Sequence, residues 1–240
     1  MKVYSHLLNC KYLSYNNNSN RKSQQHLTKV YSTLGSGIFV SLITFIVAQK
    51  LSIHPYIFIA IGVASIIGEI ALLFMSKQNS TYQKLNFLSF YAYALSIGGG
   101  VGVGMIGYGL NQAQAMLFYK VVMSSFVMTT AVFGAFSVFS ILTHQRIGIY
   151  LGSALLTLVL GIISIFVFNV MMEAVLGLII GCLYVIVDTQ TIIRRTEEGQ
   201  FDVVRDAKML FVDFVKIFIE ILKILQENKK KDEEKDKKKK

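Results

Sequence analysis

CLYVIVDTQTIIRRTEEGQFDVVRDAKMLFVDFVKIFIEILKILQEN, residues Cys182 to Asn228, decides how the chain is read. An apolar run leads into Asp188, a short charged loop follows, and a second apolar run carries Asp213. A carboxylate at bilayer depth is costly and rare, so one found there marks a functional site by default. The second run has its own pattern. Asp206, Asp213, Glu220 and Glu227 recur every seven residues, as do Lys216, Lys223 and Lys230. Lys216, Lys223 and Lys230 each follow an acid by three residues, which draws one polar stripe along an otherwise apolar helix, Val203 to Glu227. Such a helix is not lipid-exposed all round. Two placements stay open: a helix threaded into a bundle, crossing fully or dipping in and returning, and an amphipathic helix lying on the membrane surface.

Working outward, Gly177 and Gly181 sit four residues apart upstream of Asp188, a spacing that lets membrane helices approach closely. Asp188 follows Gly181 by seven residues, about two turns along the same face, so the packed face also presents the carboxylate to the bundle interior. The plainer alternative is a helix end meeting water beside Arg194 and Arg195. Thr189 and Gln190 offer hydrogen-bonding partners and favour the interior reading. Glu69 is a third acid within an apolar span, either a further pathway residue or a structural anchor. Lys216 and Glu220, on the acidic stripe, are candidate supporting residues.

The whole chain fits a membrane setting. Its 240 residues are 53% hydrophobic, with mean hydropathy +0.53, one Pro and no Trp. Apolar spans of about 20 residues are expected at Tyr31–Ala48, Tyr56–Met75, Leu85–Leu110, Met116–Leu142, Gly148–Phe168 and Ala174–Ile193. The short linkers between them imply one antiparallel bundle. Residues 1–28 read as a polar, flexible arm, 29–227 as the bundle and 228–240 as a lysine-rich tail. Twelve basic residues fall on the side of the amino terminus and two on the other, so that side is expected to be cytoplasmic. The arm lacks the short apolar core of a cleavable signal, and the first span is expected to serve as an uncleaved anchor. A tail kept cytoplasmic by the same charge rule would require the last helix to return. That tail holds eight Lys and four acids without interleaved aromatics, +4 of the chain's net charge of +10. It is suited to anionic lipid headgroups, not to nucleic acid.

Several chemistries lack their residues. Two Cys and four scattered His show no disulfide framework or zinc spacing. Gly102-Val-Gly104-Met-Ile-Gly107 matches a dinucleotide fingerprint but lies inside an apolar span with no preceding strand. Gly98, Gly100, Gly102 and Gly104 read instead as helix-packing positions. No His lies deep in a span to activate a Ser. The contexts Val187-Asp188-Thr189 and Val212-Asp213-Phe214 differ from the YD and GxGD signatures of aspartyl intramembrane proteases. No enzyme is expected.

Val187-Asp188-Thr189-Gln190-Thr191-Ile192-Ile193, the loop ending Gly199-Gln200-Phe201-Asp202, and Leu210-Phe211-Val212-Asp213-Phe214 together resemble the Bax inhibitor, or transmembrane Bax-inhibitor-motif, family. His26-Leu27-Thr28-Lys29-Val30-Tyr31, the glycine-rich third span and the lysine-rich end are similar too. The resemblance covers roughly Gln25 to the end. It implies an all-α integral membrane protein, six outer transmembrane helices around a central seventh that spans or is re-entrant. It implies a cytoprotective, anti-apoptotic multi-pass protein of the endoplasmic reticulum that leaks Ca2+ in a pH-dependent way, without a cofactor. Asp188 and Asp213 would form the di-carboxylate pH sensor and Ca2+ contact. Bilayer lipid, Ca2+, protons and Bcl-2-type death regulators are the implied partners; a Ca2+/H+ exchanger and a non-conducting interaction protein are the alternatives. Some bacterial relatives latch the first Asp with a basic residue in the second span. Tyr56–Met75 has no Lys or Arg, so any latch here must come from elsewhere. If the tail is cytosolic, Lys237 to Lys240 resemble a dilysine retrieval signal of the endoplasmic reticulum.

Overall fold

The computed structural model describes residues 2–51, 54–75, 80–107, 112–143, 159 and 170–238. These form six α-helices: α1 Lys2–Leu51, α2 Pro55–Leu73, α3 Ser80–Gly107, α4 Gln112–Leu142, α5 Val170–Glu197 and α6 Val203–Lys238. There is no strand among the described residues. Five of the six expected outer spans lie on these helices. The other, Gly148–Phe168, falls outside the described residues apart from Val159.

Polarity is distributed as lipid requires. Ile57, Ile59, Val63, Ile66, Ile67 and Ile70 are exposed along α2, and Val127, Met128, Val138 and Phe139 along α4. The interior in contrast holds Ser65, Asn86, Ser89, Ser125, Thr129, Ser140 and Thr189. In water so much exposed apolar surface would drive aggregation; against acyl chains it costs nothing, and the hydroxyls of these six Ser and Thr residues bond within the protein. Ser125 and Thr129 donate to carbonyls one turn back. Among the described residues Lys22–Leu51, Met116–Leu142 and Met171–Glu197 are long and apolar enough to cross a membrane, and Tyr56–Leu72 is a shorter apolar helix. The chain is an all-α, multi-pass membrane protein.

With no hydrophobic drive between lipid-solvated helices, close contact falls to small residues and interhelical hydrogen bonds. A Cβ on Gly98 would overlap the Ser41 backbone of α1, and one on Gly102 would come 2.8 Å from the Phe45 carbonyl oxygen. Ser41 Oγ also donates to the Ala94 carbonyl of α3 at 2.8 Å. These residues hold α1 on α3, while Gly100 faces open space. Residues Gly102 to Gly107 are the helical end of α3, so the fingerprint-like glycines form no phosphate loop.

Two expectations at the termini change. Residues 2–28 of the arm expected to be flexible are helical and continuous with the first span, giving α1 50 residues, about 75 Å at 1.5 Å per residue. Its second half is packed, with Ser23, His26 and Leu27 all buried. Likewise the last helix continues past Glu227 to Lys238. Neither end contains a helix breaker: there is no Pro or Gly before Gly35 or after Gly199.

The turn between α5 and α6 is tightly specified. Gln200 N–H bonds back to the Arg195 carbonyl at 2.9 Å and Gly199 N–H to Thr196 at 3.1 Å. Gly199 takes φ +81°, the left-handed conformation that closes a helix this way. Asp202 then caps α6, its Oδ1 accepting from Arg205 N–H at 3.1 Å. The two helices run antiparallel over nearly the whole of α5, and α6 extends beyond it. Arg195 meets Asp206, Gly181 meets Ile217, Gly177 meets Glu220 and Glu173 meets Lys223. No reversal interrupts α6. It packs against α1, α3, α4 and α5, and it buries Ala207, Leu210, Phe211, Phe214, Ile217 and Ile221.

Candidate functional site

The glycine face of α5 sets the site. A Cβ on Gly181 would come 2.9 Å from Ile217 Cγ1, and one on Gly177 2.8 Å from Glu220 Cδ. The helices therefore meet closely, and two turns further along Asp188 comes into hydrogen-bond contact with Asp213. Asp213 is buried, and its Oδ2 accepts no hydrogen bond from the described residues. Ionised carboxylates are acceptors only, so two carboxyl groups share a hydrogen bond only when one carries a proton. The two acids singled out from sequence are thus one unit.

The supporting residues divide. Thr189 and Gln190 do not serve Asp188. Thr189 Oγ1 pairs with the Tyr31 hydroxyl of α1 at 3.3 Å. The Gln190 amide donates to the Ser140 carbonyl of α4 and, at 3.4 Å, to that of Thr143. They pin α5 to its neighbours and so fix the direction in which Asp188 points. Lys216 lies over the Tyr184 ring, 4.3 Å from its centroid, and acts electrostatically on Asp213. Glu220 pairs with Lys223 at 3.1 Å and packs on Gly177, away from the acid pair.

Glu69 belongs to a separate cluster. It pairs with Lys208 of α6 and accepts from Ser89 Oγ at 2.6 Å. Lys208 Nζ also reaches Asn86 Oδ1 at 2.5 Å and Ser89 Oγ at 2.9 Å, which uses its three donors. Glu69 is therefore an anchor joining α2, α3 and α6. The second span carries the acid and the last helix the base.

A third group escaped the sequence reading. Asp206 is almost fully buried, and its Oδ2 accepts from His26 Nε2 at 2.8 Å; both side chains are 3% exposed or less. Arg195 Nη1 stands 3.5 Å from the other oxygen, Oδ1, and also contacts Met209 Sδ. The Phe201 ring meets the His26 ring edge-on. Arg195 and Asp206 both act electrostatically on Asp188. Asp206 was visible as the acid one heptad before Asp213, and that spacing was the available signal. Nothing in the local sequence links it to His26, which is 180 residues away.

Beside this group opens a cavity of about 630 Å3. Gln83, Phe87, Gln200 and Phe201 form an exposed rim, and Tyr82, Asn86 and Asp206 a buried floor. Asp202 faces it, 3.5 Å from both the Tyr82 hydroxyl and the Asn86 amide nitrogen. Tyr82 precedes the apolar part of α3. Burial, followed by the Asp202 charge, pushes its phenol above the ordinary tyrosine range. At the level of Asp213 and beyond, a small apolar cavity of about 60 Å3 is lined by Phe45, Phe126, Phe211, Phe214 and Phe218. Packed rings of this kind resist wetting.

The family described as "Inhibitor of apoptosis-promoting Bax1" matches residues 23–230. The chain is 29% identical over 236 residues to the Bax inhibitor 1 homolog of Dictyostelium discoideum, covering 91% of this chain and 87% of that protein. It is 30% identical to Bax inhibitor 1 of Bos taurus, covering 91% and 90%, and 28% identical to that of Homo sapiens, covering 90% and 91%. The match takes in His26, the glycine face, both aspartates and the first part of the lysine-rich end, so the chain belongs to the Bax inhibitor family of membrane proteins.

Proposed function

We propose that this chain is a pH-sensitive Ca2+ leak pathway of the endoplasmic reticulum membrane with a cytoprotective role, and that Asp188 and Asp213 are its ion contact and proton sensor. The observation that carries this reading is the hydrogen-bonded carboxyl pair on two closely packed antiparallel helices. Two carboxylates in a low-dielectric site do not both ionise cheaply, so they hold a shared proton and titrate as a pair. Losing that proton leaves two adjacent charges that repel. The same two charges make hard oxygen ligands for Ca2+, with carbonyls and water completing the shell. Proton occupancy then selects between a closed packing of α6 and an open one. No reversal interrupts α6 where it runs beside α5, which supports a spanning helix.

Ca2+ flux in liposomes between about pH 5 and pH 8 tests the reading, with Asp188→Asn and Asp213→Asn beside the parent. Both variants should flatten the pH profile; an unchanged rate and profile in both would sink the proposal. Proton movement tied stoichiometrically to Ca2+ would identify an exchanger. One observation favours a role as interaction protein as well: Lys230, Lys231, Asp232 and Lys235 near the end of α6 are exposed, where a partner such as a Bcl-2-type regulator can meet them. Removing residues 229–240 should then abolish protection of cells while leaving flux intact.

A further inference from the structure

We propose that His26, Asp206 and Arg195 form an ion-paired gate between the 630 Å3 cavity and the Asp188–Asp213 pair. This rests on reading that pair as the ion contact. The three residues come from three elements: the first helix, the end of α5 and the start of α6. Asp206 and Arg195 both line the cavity, and Asp206 belongs to its floor. Asp213 lies seven residues deeper on the same helix, about 10 Å along the axis. Between them the path is closed by Leu210 and Ile192, both fully buried.

A cation entering from the cavity meets Asp202 and then Asp206. It finds the Asp206 carboxylate already hydrogen-bonded to one imidazole and faced at 3.5 Å by one guanidinium. To pass, it must displace at least one of them. The arrangement holds the pathway shut by competition: the imidazole and the guanidinium shield the carboxylate, and releasing His26 exposes it as a stepping point toward Asp213. His26 also ties α1 to α6, so the gate opens only when those helices part at this end. Asp206 and its partners do not coordinate the ion in the closed form; they are positioning residues for access.

Access can be measured apart from transport. Leu210→Cys, with Cys10 and Cys182 replaced by Ser, places a thiol behind the gate. A cationic methanethiosulfonate added to purified protein in detergent should modify Cys at 210 slowly. Added His26→Gln or Arg195→Gln should raise that rate at least tenfold. Rates within twofold of one another across the set would overturn the gate, whatever the Ca2+ flux. Faster modification in a protein that carries no Ca2+ would leave the gate standing and sink the ion reading alone. Should Leu210→Cys fail to fold, amide exchange across residues 203–213 replaces it in the otherwise native chain. Tenfold faster exchange in His26→Gln supports the gate, and unchanged exchange overturns it.

Discussion

Replacing Asp206 by Ala should be among the most destabilising single changes in this protein, and its size follows from the contacts. The hydrogen bond from His26 goes to an ionised acceptor in a buried site, where such bonds contribute about 1.5–3 kcal/mol. The Arg195 guanidinium stands 3.5 Å away with a side chain 28% exposed, so it adds no more than about 1 kcal/mol. Removing the carboxylate also leaves the His26 N–H buried without an acceptor, which costs about 1–3 kcal/mol. These sum to about 2.5–7 kcal/mol, which brackets the roughly 3–5 kcal/mol found when one partner of a buried pair is removed. His26→Ala should cost less, about 2 kcal/mol, because Arg195 still faces the carboxylate. The double variant should then fall short of additivity by about 1.5–3 kcal/mol. Unfolding by sodium dodecyl sulfate in mixed micelles, followed by helicity, measures all three. A loss under about 1 kcal/mol for Asp206→Ala, or coupling under about 0.5 kcal/mol, would refute the reasoning.

Gly98→Val should separate α1 from α3, because the obstructing atoms are Ser41 backbone and cannot rotate aside. The expected loss is about 3 kcal/mol, whereas Gly100→Ala meets nothing and should gain up to about 1 kcal/mol in the same unfolding assay. Lys208→Met should cost about 1–2 kcal/mol, reduced by the partial exposure of Glu69, and should be non-additive with Glu69→Gln. Raising pH above the ordinary tyrosine value should destabilise the cavity floor through Tyr82. Its folded pKa is raised, so the stability it contributes is complete below the unfolded pKa near 10 and is lost as pH rises through the folded value. Thermal melts of the parent and Tyr82→Phe should therefore diverge only in alkali.

The apolar runs, the glycine spacing at 177 and 181 and the seven-residue step to Asp188 are local patterns, and local patterns made the helices and the acid pair legible in the sequence. Glu69 was ambiguous because its role depends on Lys208, which is 139 residues distant. Lys208 itself counted only as one more basic residue near a helix start. Thr189 and Gln190 show the same limit from the other direction. Their neighbours in sequence suggested Asp188 as their partner, but successive side chains on a helix point about 100° apart, and both reach other helices. The continuity of α1 was hidden by an Asn-rich composition that reads as disorder, although its second half finds a packing surface that composition cannot reveal.

The seven-residue repeat of acids on α6 has a further consequence. Taken alone, Asp206, Asp213 and Glu220 would accept a slide of the helix by one heptad, about 10 Å, with each acid moving into the next one's place. Nothing in the repeat distinguishes the two alignments. The partners do, because they do not repeat: an imidazole stands opposite Asp206, a carboxyl opposite Asp213 and a bare glycine opposite Glu220. The receptacles are as unlike as the wards of a lock, and they admit this ratcheted key at a single depth.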